Sequence, residues 1–332
     1  MIILKQKLLS NNEIKIIIIF GAGLIGTSVC NNILKRTEYL AIIHPFNWHN
    51  LYQTKQDAKN IYKHLSDILI LSSNSGNSSS KIAFVWSAGK AGFTASKKII
   101  EDELNNYEIV LDLVIKLRRN FPTTSLFFHL VSSAGGLFEG RHIVNNKTVP
   151  EPKRYYGQLK HEQEKRLYKL GTKIVKKVYR PTSAYGFLGP WHRMGLIPTL
   201  ISNGLKYKVS TIYGNLSTLR DYIFVDDIGT FIEKKIFQDN SSIELPCYFL
   251  ASGKPSSIYE IKYIIEKILR KKIYVEFRST PQSENIADIT INSSALPIDW
   301  AVTDIKVGIR YVRESLISGN GHSKPATQMR MA

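Results

Sequence analysis

The sequence predicts an α/β protein built on a doubly wound parallel sheet. Short apolar, β-branched runs alternate with longer amphipathic segments, and the first run leads directly into a glycine-rich turn and an apolar helix. A continuous apolar run is typical of a strand that is buried on both faces of a parallel sheet. The predicted strands are residues 14–20, 39–43, 82–86, 126–131 and 173–179, and the predicted helices are 27–34, 49–71, 101–119 and 156–170.

The composition is that of an ordinary globular protein, with 43% hydrophobic and 22% charged residues in a chain of 332. That length allows one large domain or two coupled domains. The formal net charge is +18, but the basic residues are scattered in short clusters along the chain. We therefore take the charge as weak support for an anionic ligand, and we expect no nucleic-acid partner.

Cysteine usage and the apolar runs narrow the class of protein further. Cys30 and Cys247 are the only cysteines, so the sequence offers no disulfide framework and no metal cluster, and we expect no bound metal. The N-terminal segment lacks the long apolar core of a signal peptide. The longest apolar run, 16–25, is broken by glycines and is too short to span a bilayer. We therefore expect a cytoplasmic protein without membrane insertion.

The glycine-rich stretch GAGLIG at 21–26 lies between the first strand and the first helix, which is the context of a dinucleotide-binding turn. We expect Gly21 to allow the tight turn, Gly23 to let a pyrophosphate approach the backbone, and Gly26 to let the helix pack on the strand. The helix start at Leu24 and Ile25 directs its partial positive charge towards the phosphates. The motif predicts a Rossmann-like fold with NAD or NADP as cofactor.

The choice between NAD and NADP is left open by the second strand. This strand ends at His44-Pro45-Phe46-Asn47-Trp48, where NAD enzymes usually carry an acidic residue and NADP enzymes often carry an arginine. Neither residue type is present there. At the end of the next predicted strand, Ser87-Ala88-Gly89 is a candidate cofactor contact, although a simple glycine-rich turn also explains it.

Tyr156 and Lys160 are four residues apart and therefore lie on one face of the predicted helix 156–170. A lysine ammonium beside a phenol favours the phenolate, which lowers the pKa of the tyrosine and allows it to act as acid or base at neutral pH. Ser133 follows a predicted buried strand and is placed to bond the same substrate oxygen. A surface tyrosine and lysine on a polar helix is the ordinary explanation of such a pair, and the other motifs favour the catalytic interpretation over it.

The pattern changes after Pro181 to loops rich in glycine and proline, followed by further short helices. We expect a dinucleotide-binding domain of residues 14–181 plus about 219–250, and a smaller C-terminal α/β substrate-binding domain of residues 182–218 plus about 251–315. Residues 316–332 lack periodicity and are predicted to form a loose tail.

In combination, these motifs make the chain resemble the extended short-chain dehydrogenase/reductase superfamily, in particular its NAD-dependent epimerase/dehydratase family, whose members act on nucleotide sugars. The resemblance runs from Ile14 to Val312 and rests on motifs in a specific order. These are GAGLIG at 21–26, SSAGG at 132–136, YGQLK at 156–160, RPTSAYG at 180–186 and RDYIFVDD at 220–227.

The resemblance implies roles for single residues. Tyr156 would be the catalytic acid and base, Lys160 would lower its pKa and hold the nicotinamide ribose, and Ser133 would orient the substrate. A homodimer is also implied. The implied cofactor contacts are Gly21, Gly23, Leu24, Ile25, Gly26, Ser87, Ala88, Gly89, Asn105, Tyr156 and Lys160, and the implied substrate contacts are Ser133, Ser183, Arg220 and Arg278.

The function that the resemblance favours is that of a nucleotide-sugar 4-epimerase in surface polysaccharide synthesis, with a nicotinamide as the transient hydride carrier. Ala134 and Gly135 follow Ser133, where dehydratases of the superfamily usually carry an acidic pair, so dehydration is disfavoured. One alternative is a reductase of a keto sugar or another carbonyl compound. A reductase of a different small carbonyl compound would keep Ser133, Tyr156 and Lys160 but would not need Arg220. The second alternative is a non-catalytic dinucleotide-binding regulator, which has no need of Tyr156 or Lys160.

Overall fold

The central sheet has eight strands among the residues described, and all but one run in the same direction. The structure, a computed structural model, describes residues 1–6, 13–74, 79–92, 95–190, 192–213, 216–238, 247–278, 289–319 and 329–331. The strands, in spatial order, are β12 (Cys247–Leu250), β7 (Ile174–Pro181), β5 (Ser125–Val131), β4 (Ser79–Trp86), β2 (Glu13–Phe20), β1 (Ile2–Gln6), β3 (Tyr39–Ile43) and β16 (Met329–Met331).

Helices cover both faces of this sheet. Their bounds are α1 (Leu24–Leu34), α2 (Leu51–Asn74), α3 (Lys97–Asn120), α4 (Ala134–Leu137), α5 (Tyr155–Lys169), α6 (Leu196–Leu205), α7 (Val225–Phe237), α8 (Ile258–Leu269) and α9 (Ile305–Ser318). One core cluster packs α2 and α3 against the sheet, and a second packs α1 and α7 against the opposite face. The predicted doubly wound arrangement is therefore present. None of the helices in the described ranges is long and apolar enough to cross a membrane.

A third core cluster is formed by α6, α8 and α9 together with short strands outside the central sheet. The remaining short elements are β6 (Ile143–Val144), β8 (Ser183–Tyr185), β9 (Ser210–Tyr213), β10 (Leu219–Arg220), β11 (Tyr222–Phe224), β13 (Ser256–Ser257), β14 (Val275–Arg278), β15 (Thr290–Ile291) and a 3-10 helix at Ser293–Ala295. The pair formed by β8 and β11 is parallel and contributes Tyr222 and Phe224 to this cluster and Ile223 to the cluster that packs α1 and α7 against the main sheet. The domain boundaries proposed from the sequence stay a prediction.

Sequence reasoning missed β1, which runs antiparallel between β2 and β3. Ile2 lies opposite Ile19 on one side and Ile43 on the other. Leu4 is fully buried, and the next residue, Lys5, is exposed. The insertion places β3 one further strand away from β2, a displacement of about 5 Å. The apolar start of the chain is thus a core strand.

Within the tail predicted at 316–332, the described residues belong to regular elements. Helix α9 continues to Ser318 and ends at Gly319, which adopts a left-handed conformation typical of a helix C-terminus. Met329–Met331 then pair in parallel with β3 at the edge of the sheet. The edge of a sheet presents unpaired backbone N–H and C=O groups, which pair readily with an extended segment. Such pairing depends on the backbone, so the side-chain pattern of the tail does not predict it. Residues 320–328 and 332 lie outside the described residues.

The placement of β1 can be tested by truncating Leu4. Leu4→Ala removes a fully buried side chain and is expected to lower the free energy of unfolding by about 2–5 kcal/mol. Urea unfolding monitored by circular dichroism measures the change. Lys5→Ala, at the exposed neighbouring position, is the matched control with an expected change within about 0.5 kcal/mol. Equal effects of the two substitutions would show that β1 does not occupy the sheet interior.

Candidate functional site

The glycine-rich turn joins the end of β2 to the start of α1. Gly21 has a φ of +97°, and a Cβ there would overlap the backbone of Ala88 at the end of β4. A Cβ at Gly26 would overlap the Gly21 carbonyl oxygen, so helix and turn pack as closely as expected. Gly23 has open space around it, and no side chain caps the first turn of α1. The uncapped N–H groups and the open position form a cradle of the kind that binds a phosphate.

The end of β4 is joined to this turn by hydrogen bonds. The Ser87 hydroxyl donates to the Gly21 carbonyl oxygen at 2.8 Å and the Phe20 carbonyl oxygen at 3.2 Å. Ser87, Ala88 and Gly89 all line a cavity of about 270 Å³ at the carboxyl edge of the sheet. Ile25, at the start of α1, lines it as well. Of the residues that the sequence assigned to a cofactor, Ile25, Ser87, Ala88 and Gly89 thus line one cavity beside the glycine-rich turn, and Asn105 does not.

Ser133, Tyr156 and Lys160 line the same cavity. Ser133 precedes the short helix α4, and its hydroxyl accepts a hydrogen bond from the Gly136 N–H at 3.1 Å. A side-chain hydrogen bond also links Ser133 to the Tyr156 phenol. A Cβ at Gly157 would overlap the carbonyl oxygen of Gly136, so this glycine lets α5 approach α4 closely. The close contact brings the phenol of Tyr156 to the serine.

The sequence-based expectation that Lys160 lowers the pKa of Tyr156 stays a prediction. Burial raises the pKa of Tyr156, the hydrogen bond with Ser133 lowers it, and the charge of Glu103 raises it. The Lys160 ammonium lies 6.0 Å from the centre of the Tyr156 ring and donates instead to the Val131 carbonyl oxygen at 3.1 Å. Among these groups, the serine opposes the effect of burial on the pKa of the tyrosine.

Burial also governs Lys160, which is 7% exposed. It lowers the pKa of Lys160 to about 8, while the charges of Glu103 and Glu164 raise it. The ammonium donates a second hydrogen bond to the Gln163 side-chain oxygen at 3.3 Å. At neutral pH the lysine is thus mostly protonated, because its pKa still lies above the pH.

A buried ion pair holds helix α5 in place beneath the cavity. The Arg180 guanidinium on β7 donates two hydrogen bonds to the Glu164 carboxylate, at 3.0 and 2.7 Å. Glu164 is 1% exposed, and Arg180 also lies over the rings of Phe138 and Phe249. Because Glu164 is one helical turn after Lys160, this bidentate pair fixes the helix position that carries the lysine.

A second cavity of about 230 Å³ shares Ser133 and Tyr156 with the first one. Ser183 and Arg220 line it, as the resemblance implied for a substrate site. Arg278 does not line either cavity. It is at the end of β14, its side chain is 62% exposed, and it forms an ion pair with Glu276 at 3.0 Å. The structure therefore does not bring Arg278 together with the other implied substrate contacts. Its strand, β14, pairs with β9 outside the main sheet.

Asn105 is likewise placed away from the site. It is exposed on α3, and the residue of that helix that lines the first cavity is Glu103. Residues two apart on a helix point to nearly opposite sides, so both cannot face the cavity. Glu103 falls four residues before the buried Tyr107, and this carboxylate on the apolar stripe of α3 was a signal that the sequence contained.

His192 is a further residue that sequence reasoning missed. Its ring nitrogen Nε2 lies 3.1 Å from the Ala22 carbonyl oxygen and 3.0 Å from the Thr27 hydroxyl. These contacts attach the loop after β8 to the glycine-rich turn. They join segments about 170 residues apart, which no local pattern reports.

The fold and this edge of the sheet define a Rossmann-like α/β protein with a serine, a tyrosine and a lysine in one cavity. The profile of the NAD-dependent epimerase/dehydratase family matches residues 16–240, which is more than half of the chain. The chain belongs to this family, and the resemblance stated from the motifs is confirmed. A sequence search among curated proteins finds no match.

Solved structures share the fold over most of the chain. The structure of UDP-glucose 4-epimerase of Thermus thermophilus, in complex with NAD, is similar to this chain with a TM-score of 0.67 and 16% sequence identity. The match covers 91% of this chain and 98% of the epimerase chain. UDP-glucuronic acid 4-epimerase of Bacillus cereus, in complex with UDP-glucuronic acid and NAD, matches with a TM-score of 0.67 and 19% sequence identity. This match covers 92% of this chain and 99% of the Bacillus chain. UDP-N-acetylglucosamine 4-epimerase of Methanobrevibacter ruminantium M1 matches with a TM-score of 0.60 and 20% sequence identity, and the match covers 71% of this chain and 76% of the Methanobrevibacter chain. The predicted Rossmann-like α/β architecture is thereby confirmed.

The ion pair under α5 yields a stability prediction. Glu164→Ala leaves the Arg180 charge buried without its partner, and we expect the free energy of unfolding to fall by about 3–5 kcal/mol. Glu162→Ala, which breaks a more exposed pair with Arg166 on the same helix, is the control with an expected loss of about 1 kcal/mol or less. Denaturant unfolding measures both. A similar small loss for the two variants would contradict the anchoring role of the buried pair.

Proposed function

We propose that this protein is an NAD-dependent nucleotide-sugar 4-epimerase. The observation that carries the proposal is the convergence of Ser133 and Tyr156 at the junction of two cavities, one beside the glycine-rich turn and one lined by Arg220. A dinucleotide and a nucleotide sugar would then meet at the tyrosine. Family membership supports this proposal, and the solved structures of the same fold include 4-epimerases of three different UDP-sugars.

The residues around the first cavity fit a dinucleotide. The open position at Gly23 and the uncapped start of α1 match a pyrophosphate, which would accept hydrogen bonds from the helix N–H groups. The small residues Ser87, Ala88 and Gly89 leave room beside the strand ends. Lys160 would hold the nicotinamide ribose, as the resemblance implies. When bound, the nicotinamide supplies a hydride acceptor and donor that no side chain can replace.

The side chains would handle the proton of the sugar hydroxyl. Ser133 binds the hydroxyl at the reacting carbon and hydrogen-bonds Tyr156, so that the phenol oxygen faces the same atom. Tyr156 would take the hydroxyl proton, and the bound nicotinamide would supply the acceptor for the hydride of the same carbon, so that a 4-keto sugar is formed. Once the sugar has turned over in the site, Tyr156 would give the proton back to the same oxygen, while the bound nicotinamide would supply the hydride for the opposite face. The two half-reactions balance, so epimerisation needs no outside oxidant.

Arg220 would hold the phosphates of the nucleotide in the second cavity. A guanidinium binds phosphate oxygens with paired hydrogen bonds, which fixes one end of the substrate while the sugar turns. The proposal includes a homodimer in the cytoplasm and a role in surface polysaccharide synthesis, both as the family resemblance implies.

Tyr156→Phe tests the acid/base role. It removes one hydroxyl and is expected to lower kcat/KM by about 10²–10⁴ while dinucleotide binding persists. Chromatographic assays of the turnover of UDP-, GDP- and dTDP-sugars measure kcat/KM. Mass spectrometry of the protein-bound dinucleotide measures cofactor binding. Tyr155→Phe is the matched control, because Tyr155 is the exposed neighbour on the same helix. Undiminished turnover by Tyr156→Phe would overturn the mechanism, and a wild-type protein that binds dinucleotide but turns over no substrate would favour the regulator.

Arg220→Ala tests the substrate role of the second cavity. We expect KM for the nucleotide sugar to rise by about tenfold or more, because a charge-assisted hydrogen bond to phosphate contributes on the order of 1.5–3 kcal/mol. Arg119→Ala, on an exposed position at the far end of α3, is the control and is expected to leave KM unchanged. Steady-state kinetics with the best substrate of the panel provides the measurement. Equal KM values for Arg220→Ala and wild type would favour a carbonyl reductase without nucleotide recognition.

A further inference from the structure

Glu103 stands at the point where the glycine-rich end of β4, the lysine and the tyrosine meet. Its carboxylate oxygen Oε1 accepts hydrogen bonds from two consecutive backbone N–H groups, those of Lys90 and Ala91, the latter at 2.7 Å. The other oxygen, Oε2, lies 3.1 Å from the Cβ position of Gly89, where any side chain would crowd it. The carboxylate thus caps the turn that lines the cofactor side of the cavity.

The same carboxylate is electrostatically coupled to both polar groups of the reaction. Glu103 raises the pKa of Lys160 against the effect of burial, and it also raises the pKa of Tyr156. The other charged group that acts on Lys160 is Glu164, on α5 itself, and its charge is shared with Arg180 on β7. The end of β5 contributes the uncharged Ser133 hydroxyl and Val131 carbonyl oxygen. Glu103 is therefore the charge supplied by α3, from outside the helix that carries the pair.

We propose that Glu103 is a positioning residue of this site, which fixes the turn at 89–91 through its hydrogen bonds and presents its charge to the cavity that Lys160 and Tyr156 also line. The ordinary explanation is that Glu103 merely caps a turn. A neutral amide oxygen would serve that purpose equally well, because it also accepts two N–H bonds. The two explanations therefore differ in the consequence of removing the charge alone.

Glu103→Gln removes the charge and keeps an oxygen for the turn. Without the negative charge, the ammonium of Lys160 is less favourable and the phenolate of Tyr156 is more favourable, so the pKa values of both groups fall. Both limbs of the pH profile of kcat/KM then move to lower pH, in the same direction. A residue that only shapes the turn would change the height of the profile and leave both limbs in place.

The experiment combines this profile with a readout that does not depend on turnover. Acetic anhydride labels only the neutral amine, so the yield of acetylated Lys160 against pH, read by peptide mass spectrometry, reports its protonation directly. We expect the labelling midpoint of Glu103→Gln to lie below that of wild type, and kcat/KM at about pH 8.5 to fall several-fold more than at about pH 6.5. Glu101→Gln, an exposed carboxylate two residues away on α3, is expected to leave the midpoint and both limbs unchanged.

Each outcome decides for or against the proposal. An unchanged labelling midpoint in folded Glu103→Gln overturns it, whatever the protein catalyses. A shifted midpoint together with no turnover of any substrate by wild type supports the role of Glu103 and contradicts the proposed function, on which only the turnover readout rests. If Glu103→Gln does not fold, Glu103→Asp and Glu103→Asn repeat the test with a shorter side chain, and the aspartate variant should keep the higher midpoint.

Discussion

The burial of one ammonium group, that of Lys160, is the constraint on which the candidate site depends. A buried lysine loses hydration and tends to shed its proton, so the surrounding elements must supply compensating partners. They come from separate parts of the chain: a carbonyl oxygen at the end of β5, an amide on α5, and the carboxylates of Glu103 and Glu164. A pKa near 8 shows that this compensation is partial. The charges of Glu103 and Glu164 thus offset only part of the effect of burial on the pKa of Lys160.

The compensation requires helices and strand ends to approach more closely than side chains normally permit. Gly157 lets α5 contact α4, and Gly21 lets the end of β2 contact the end of β4. Both contacts are at the carboxyl edge, where parallel strands bring their following loops together. Arg180 then ties α5 to β7 through Glu164, so the same helix is fixed at two points. Close packing at the glycines and the ion pair beneath them thus both fix the positions of Tyr156 and Lys160.

Sequence reasoning was reliable where local pattern and topology agree. The β-branched run of β2 and the motifs after successive strands were enough to place Ser133, Tyr156 and Lys160 at one edge, because parallel connectivity leaves few other arrangements. It failed where the outcome depends on contacts between distant segments. The five residues of β1 carry no distinctive period, and Asn105 and Glu103 differ only in which side of α3 they occupy. The direction in which the Lys160 side chain points is likewise set by tertiary partners.

The insertion of β1 separates the two strands, β2 and β3, whose ends lead into the glycine-rich turn and the segment 44–48. Residues that bind the cofactor ribose usually follow the second parallel strand, because that strand is adjacent to the first. Here β1 occupies the adjacent place, and the His44 N–H after β3 donates to the Met1 carbonyl oxygen at 3.1 Å. The end of β3 is displaced by about one strand spacing, roughly 5 Å, from the glycine-rich turn. The segment after β3 nevertheless lies beside the strands that flank the glycine-rich turn, because the Phe46 ring is 5.2 Å from the Phe20 ring and the Trp48 ring is 6.0 Å from the Trp86 ring. The aromatic residues after β3 thus span the distance that the inserted strand adds.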